Sequence, residues 1–277
     1  MQLRKNMVKE NNFFEIPDHY YGEIYHLAMH AILNPFDLKN PLKVLLKRDF
    51  SEFLDDLGIE FQTVKEKQSK YQDLGKTATA IINYYDSDQQ KIVEAKCRIL
   101  KLAESENWMF PYVNLATPDQ KILIWNRNIS YMSQRNSSVS LTHQLAEMAI
   151  KRGALPVIIG CDRNIAEYHP LGNFYEDAFF KSGHSVCKQL WFQHMLFTSY
   201  GVKVSVGMKS GAMDGAAMFF GHKTIFFAKH KDVKKRMAKV AKAVPALHWF
   251  KTEYGESFAK LDEQQLNELE EKIWPTF

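Results

Sequence analysis

The stretch from KILIW (121–125) through SVSLTHQLAEMAIKRG (138–153) to ALPVIIG (154–160) reads as strand, helix, strand, and it decides the fold. KILIW and PVIIG are short unbroken apolar runs, as strands buried on both faces require. Between them Leu141, Leu145 and Met148 share one helical face, and Gly153 stops the helix. Working outward, HSVCKQLWFQHMLFTSYG (184–201) predicts a helix, VKVSVG (202–207) a strand, AMDGAAMFFG (212–221) a short helix and KTIFFA (223–228) a fourth strand. Strands alternating with helices of this length imply βαβ units and a parallel sheet, hence an α/β fold. Such sheets bind ligands outside the carboxyl ends of their strands, so the loops after the strands matter most.

Residues 1–117 have another texture. EIYHLAMHAIL (23–33) predicts a helix closed by Asn34-Pro35, because the residue before proline resists the helical region. NPLKVLLKRDFSEFLDDLG (40–58) predicts a second helical stretch ended by Gly58, and IEFQTV (59–64) a short strand. In SDQQKIVEAKCRILKLAESE (87–106), Ile92, Ala95, Ile99 and Leu102 form one apolar stripe behind Ser87 as N-cap. The expectation is a smaller, mainly helical lobe over 1–117 and a Rossmann-like parallel-sheet lobe over 118–277, divided near Ala116-Thr117-Pro118.

The whole chain has 277 residues, 45% hydrophobic and 25% charged, with a net charge of +4, which excludes disorder as its main state. No apolar run is long enough to span a membrane, and the first residues lack the apolar stretch of a signal peptide. Cys97, Cys161 and Cys187 are far apart and odd in number, as expected of reduced thiols in a cytoplasmic protein. H-E-x-x-H is absent, and no metal ligands are expected.

After the first strand of this half comes NRNISYMSQRNSSVS (126–140), which holds Arg127, Arg135, Asn136, Ser137 and Ser138 and no acid. Two guanidinium groups with hydroxyls and amides, ending at a helix N-terminus, suit phosphate oxygens. After the third strand comes GMKSGAMDGAA (207–217), in which Lys209 supplies charge, Ser210 a hydroxyl and Gly211 room for close approach. Asp214 either accepts from ribose hydroxyls or is a favourable acid in a first helical turn. Neither G-x-x-x-x-G-K-S/T nor G-x-G-x-x-G fits these loops. GCDRNIAEYHPLGNFYEDAFF (160–180) is a long loop whose polar candidates are Asp162, Arg163 and His169, with His184 beyond it.

NRNISYMSQRNSS before a helix and PVIIG, and VGMKSGAMDGAAMFFGHKTIFF, together resemble the nucleotide-binding half of GT-B-fold glycosyltransferases of the bacterial surface-sugar and fucosyltransferase-like kind, over residues 120–229. The resemblance implies a metal-independent transfer of sugar from a nucleoside-diphosphate sugar to an acceptor hydroxyl. It implies that Arg127 and Arg135 hold the diphosphate, that Ser210 and Gly211 bind phosphate through hydroxyl and backbone, and that Asp214 stands where the family often keeps an acid for the ribose; from their place in the two loops, Asn136, Ser137 and Lys209 are expected at the same nucleotide sugar. The acceptor, whether glycan, protein or nucleic acid, stays open. The amino-terminal half is shorter than in that family, so its catalytic base does not carry over. His26, His30 and Asp37 are candidates from their place near a helix end, with His30 taken as the base; His26 and His30 share a helix face at i, i+4.

Two other constellations compete. His143 and Glu147, at i, i+4, could serve an adenylylating transferase, although Leu141, Leu145 and Met148 claim the buried face of that helix. Residues 229–242 carry seven Lys or Arg against one Asp, and could bind nucleic acid or an anionic glycan. Val233, Met237, Val240 and Val244 give the same stretch an apolar face for covering a sheet. LDEQQLNELEEKIW (261–274) predicts a terminal helix with Leu266, Leu269 and Ile273 facing the body.

Overall fold

The structure is a computed structural model and describes residues 13–16, 21–34, 41–46, 50–64, 78–109, 120–127, 137–160, 169–170, 185–228, 235–252 and 260–275. The expected lobe boundary near Ala116-Thr117-Pro118 lies outside them. The carboxyl-terminal half runs β4 (Lys121–Asn126), α5 (Val139–Lys151), β5 (Leu155–Gly160), β6 (His169–Pro170), α6 (Val186–Thr198), β7 (Val202–Met208), α7 (Gly211–Phe220), β8 (Thr224–Ala228), α8 (Lys235–Ala243), β9 (Leu247–Lys251) and α9 (Glu263–Ile273). Its six strands form one sheet in the order β6-β5-β4-β7-β8-β9, and every neighbouring pair is parallel. Counted from β4 as the first, that order is 3-2-1-4-5-6, the doubly wound Rossmann arrangement. All four strands expected in this half are present, and β6 and β9 extend the sheet at its two edges.

Alternate residues of each strand feed two cores on opposite faces. Ile122, Ile124, Val204, Val206 and Phe227 pack with Leu141, Leu145 and Met148 of α5 and Leu269 and Ile273 of α9. Leu123, Trp125, Val157, Ile159 and Phe226 face the other way, toward α6, α7 and α8. There Met237, Val240 and Val244 are buried, so the basic helix does cover the sheet, while Lys239 and Lys242 stay exposed. Residues 229–234 lie outside the description.

The amino-terminal half contains β1 (Phe13–Ile16), α1 (Tyr21–Leu33), β2 (Leu42–Leu46), α2 (Ser51–Asp56), β3 (Phe61–Thr63), α3 (Ala78–Tyr84) and α4 (Gln89–Ser105). It is not only helical: β1, β2 and β3 form a three-stranded parallel sheet. The single helical stretch expected over 40–58 is in fact strand β2, then helix α2. Leu42 and Val44 are buried while Lys43 and Leu45 are half-buried, a period of two that pairing on both sides by β1 and β3 stabilises. The remaining half of that stretch keeps its helix, with Phe53 and Leu54 inward.

One apolar core joins the two halves: Ile24, Tyr25, Phe53 and Ile92 belong to the same cluster as Leu190, Phe219 and Phe226. Tyr25, Phe53 and Phe219 form an edge-to-face triangle with centroids 5.8, 6.4 and 6.1 Å apart. The Tyr85 hydroxyl donates to the Met218 carbonyl at 3.0 Å, and burial pushes that phenol up to about 12. No helix of the described residues is long and apolar enough to cross a membrane.

Candidate functional site at the sheet's switch point

Strand order reverses between β4 and β7. From β4 the chain crosses by α5 to β5 on one side, and from β7 it crosses by α7 to β8 on the other. Helices α5 and α7 pack on opposite faces, so their amino ends flank the position outside the carboxyl ends of β4 and β7 at which such sheets form a ligand crevice. Both loops that the sequence singles out leave the sheet at this end. Trp125 pairs with Gly207 in the sheet, which brings Arg127 and Lys209, two residues further along each strand, to the same end.

The turn after β4 is closed at its base by two bonds. The Arg127 N–H donates to Ser137 Oγ at 3.0 Å, and the Ser137 N–H donates to the Arg127 carbonyl at 2.8 Å. Ser138 then caps α5, accepting from the Leu141 N–H at 2.9 Å. Arg135 and Asn136 lie outside the described residues, as do Asp37, Cys161, Asp162, Arg163 and His184, and only the backbone of His169 is described.

The turn after β7 differs. Lys209 extends the strand, its N–H bonded to the Phe227 carbonyl at 3.1 Å. Ser210 is the extended N-cap residue of α7, but its hydroxyl bonds none of the helix N–H groups. In that first turn the Met213 N–H bonds the Ser210 carbonyl at 3.1 Å, and Ala212 and Met213 are buried. Gly207 has no room for a side chain, since a Cβ there would stand 2.6 Å from the Trp125 carbonyl oxygen. Gly211 touches not a ligand but Gly22, in the first turn of α1.

Asp214 faces away from the crevice. It is 4% exposed and its Oδ2 meets Nε2 of His26, itself 1% exposed, at 3.2 Å. The acid considered for ribose thus joins α7 to α1. Among the described residues His26 Nδ1 has no hydrogen-bond partner. His30, one turn further, is 3% exposed and edge-on to Phe14 with centroids 5.5 Å apart. His143 is half-buried and Glu147 exposed on α5, whose inward face is Leu141, Leu145 and Met148 as the periodicity requires.

Sequence reasoning missed a second histidine pair. His194 Nδ1 and His222 Nε2 share a hydrogen bond at 2.8 Å inside a stack with Phe197 and Phe220. Burial, then the nearby Lys96, pushes His194 down to about 4. Burial, then His194 and Lys96, pushes His222 down to about 3. Both rings are neutral at pH 7. No local motif marks them, because His194 lies on α6 and His222 just after α7. Cys187 is buried and bonded to Asp56, and burial raises its thiol well above the usual range, so it is no nucleophile. Among the described residues no cluster of three or more His, Cys, Asp or Glu could hold a metal ion. No protein-family model and no curated protein matches the chain.

Proposed function

We propose that this protein is a glycosyltransferase that moves a sugar from a nucleoside-diphosphate sugar to an acceptor hydroxyl without a metal. A Rossmann sheet alone assigns no chemistry, so the reading rests on the site. What supports it is the switch point between β4 and β7: two stretches with phosphate-suited groups leave the sheet where strand order reverses, Arg127 and Lys209 stand at the same end, and the Ser210 hydroxyl caps no helix N–H there. In this reading Arg127, Lys209, Ser210 and the first turn of α7 hold the diphosphate, with Arg135, Asn136 and Ser137 from the opposite turn. The acceptor oxygen bonds to the anomeric carbon as the bond to the diphosphate oxygen breaks. The nucleoside diphosphate leaves with the electron pair, its charge stabilised by those donors, and the acceptor proton passes to a base.

A GT-B-like arrangement is part of the proposal. Helix α1 follows the carboxyl end of β1, and its first turn abuts the first turn of α7, which follows the carboxyl end of β7. Both parallel sheets thereby direct carboxyl ends toward one junction. The reading assigns Asp214 to holding His26, not to the ribose, and leaves the base open, since His30 is buried against Phe14.

A thermal-shift panel of UDP-, GDP- and TDP-sugars against ATP tests the donor class. The sugar nucleotides are expected to stabilise the protein. Stabilisation by ATP alone would replace the reading with an adenylylating transferase, and salt-steep nucleic-acid binding without turnover would replace it with a binding protein.

A further inference from the structure

A cavity of about 420 Å³ opens between the carboxyl end of α1, the turn from α2 to β3, and α4. It lies at the amino end of β3, apart from the crevice at the carboxyl ends of β4 and β7. Ala31, Leu57 and Ala95 are buried in its wall, and Ile32 and Ile59 are half-buried there. Its volume is in the range of small-molecule sites.

The charged groups at its mouth are arranged unusually. Glu94 and Arg98 stand at i, i+4 on α4, in the order that pairs on an isolated helix, yet they do not pair. The Arg98 guanidinium lies instead against Gly58, where a Cβ would stand 2.8 Å from Arg98 Cζ. Gly58 has φ +65°, so both its conformation and its missing side chain suit this seat. Arg98 and Glu60 make no hydrogen bond or ion pair with the described residues, and Glu94 receives only a 3.4 Å contact from Gln90. Lys91, the cavity's other cation, is engaged by Asp88 at 2.8 Å and by the Leu33 carbonyl at 3.3 Å.

From the seated guanidinium, the carboxylates that no described cation engages and the apolar wall we infer that this cavity binds an apolar zwitterion of the amino-acid type. Its carboxylate meets Arg98, its ammonium meets Glu94 and Glu60, and its side chain covers Ala31, Leu57 and Ala95. A phosphate dianion would meet one available cation and two repelling carboxylates. A plain carboxylate would leave both glutamates unmatched.

The test is calorimetric titration of the full chain with L-leucine, L-leucinamide and 4-methylpentanoate, in the wild type and in Arg98→Met, which keeps an apolar stem on an exposed position. Saturable binding of L-leucine is expected, with weaker binding of both analogues. Arg98→Met should weaken it about ten- to a hundred-fold, the loss expected for a hydrogen-bonded charge, and Glu94→Gln should weaken it as well. No saturable binding of L-leucine would overturn the inference. So would an unchanged affinity in Arg98→Met, or equal affinity for 4-methylpentanoate.

Discussion

Gly22 and Gly211 meet backbone to backbone, so that a Cβ on Gly22 would stand 2.8 Å from the carbonyl carbon of Gly211. The contact sets the first turn of α1 directly against the first turn of α7. Just below it, Gly215 admits the Tyr25 ring, 3.1 Å from where a Cβ would be.

Gly22→Ala tests that contact. Alanine favours a helix interior by about 1 kcal/mol over glycine. Overpacking against backbone that cannot rotate away costs about 1–3 kcal/mol, so the clash should win. Urea denaturation should show a lower midpoint for Gly22→Ala and Gly211→Ala. Gly221, whose φ is +68° with open space around it, should accept Asn with little loss.

The His26–Asp214 pair gives a second expectation. Removing one partner leaves the other buried without its hydrogen bond, a loss of about 1–3 kcal/mol. Asp214→Ala should therefore be destabilising, and His26→Leu/Asp214→Leu should recover part of the loss. A double-mutant cycle by chemical denaturation measures the coupling. If Asp214 instead served the ribose, its loss would weaken nucleotide binding and leave stability nearly unchanged.

Acid should destabilise the fold through His194 and His222. Their folded pKa values, about 4 and about 3, lie below the unfolded value of 6.5. Between those limits the unfolded chain binds more protons, so stability falls as pH drops from 6.5 toward 3. The Tm of His194→Phe/His222→Phe, which keeps aromatic rings in the stack, should depend less steeply on pH over that range.

Thiol labelling should separate two cysteines. Cys97 is exposed and should react with maleimide in the native protein, whereas Cys187 is buried and should react only on unfolding. Mass spectrometry of labelled peptides reads this directly.

The parts legible in the sequence are those whose signal is local. KILIW, PVIIG and TIFFA are buried on both faces of the sheet, so each shows as an unbroken or nearly unbroken apolar run, whereas VKVSVG alternates and leaves Lys203 exposed. Helices α4 and α5 show their stripes because one face of each is solvated. β2 was hidden because LKVLL also fits a helical period and is decided by pairing with β1 and β3. The site divides the same way. Its two turns are contiguous stretches and can be read. The partnership of His26 with Asp214 spans 188 residues, and nothing in EIYHLAMHAIL tells which of His26 and His30 faces α7.

The most direct test of the central claim is turnover with sugar nucleotides. Transfer or hydrolysis of a nucleoside-diphosphate sugar is followed by mass spectrometry in the wild type, Arg127→Ala and Lys209→Ala, with folding checked by circular dichroism. Glycosyl transfer at this site requires turnover in the wild type and a loss of about ten- to a hundred-fold in each folded variant, the range for one charge-assisted contact to a phosphate. Wild-type rates in both variants, or no turnover with any sugar nucleotide, would contradict it.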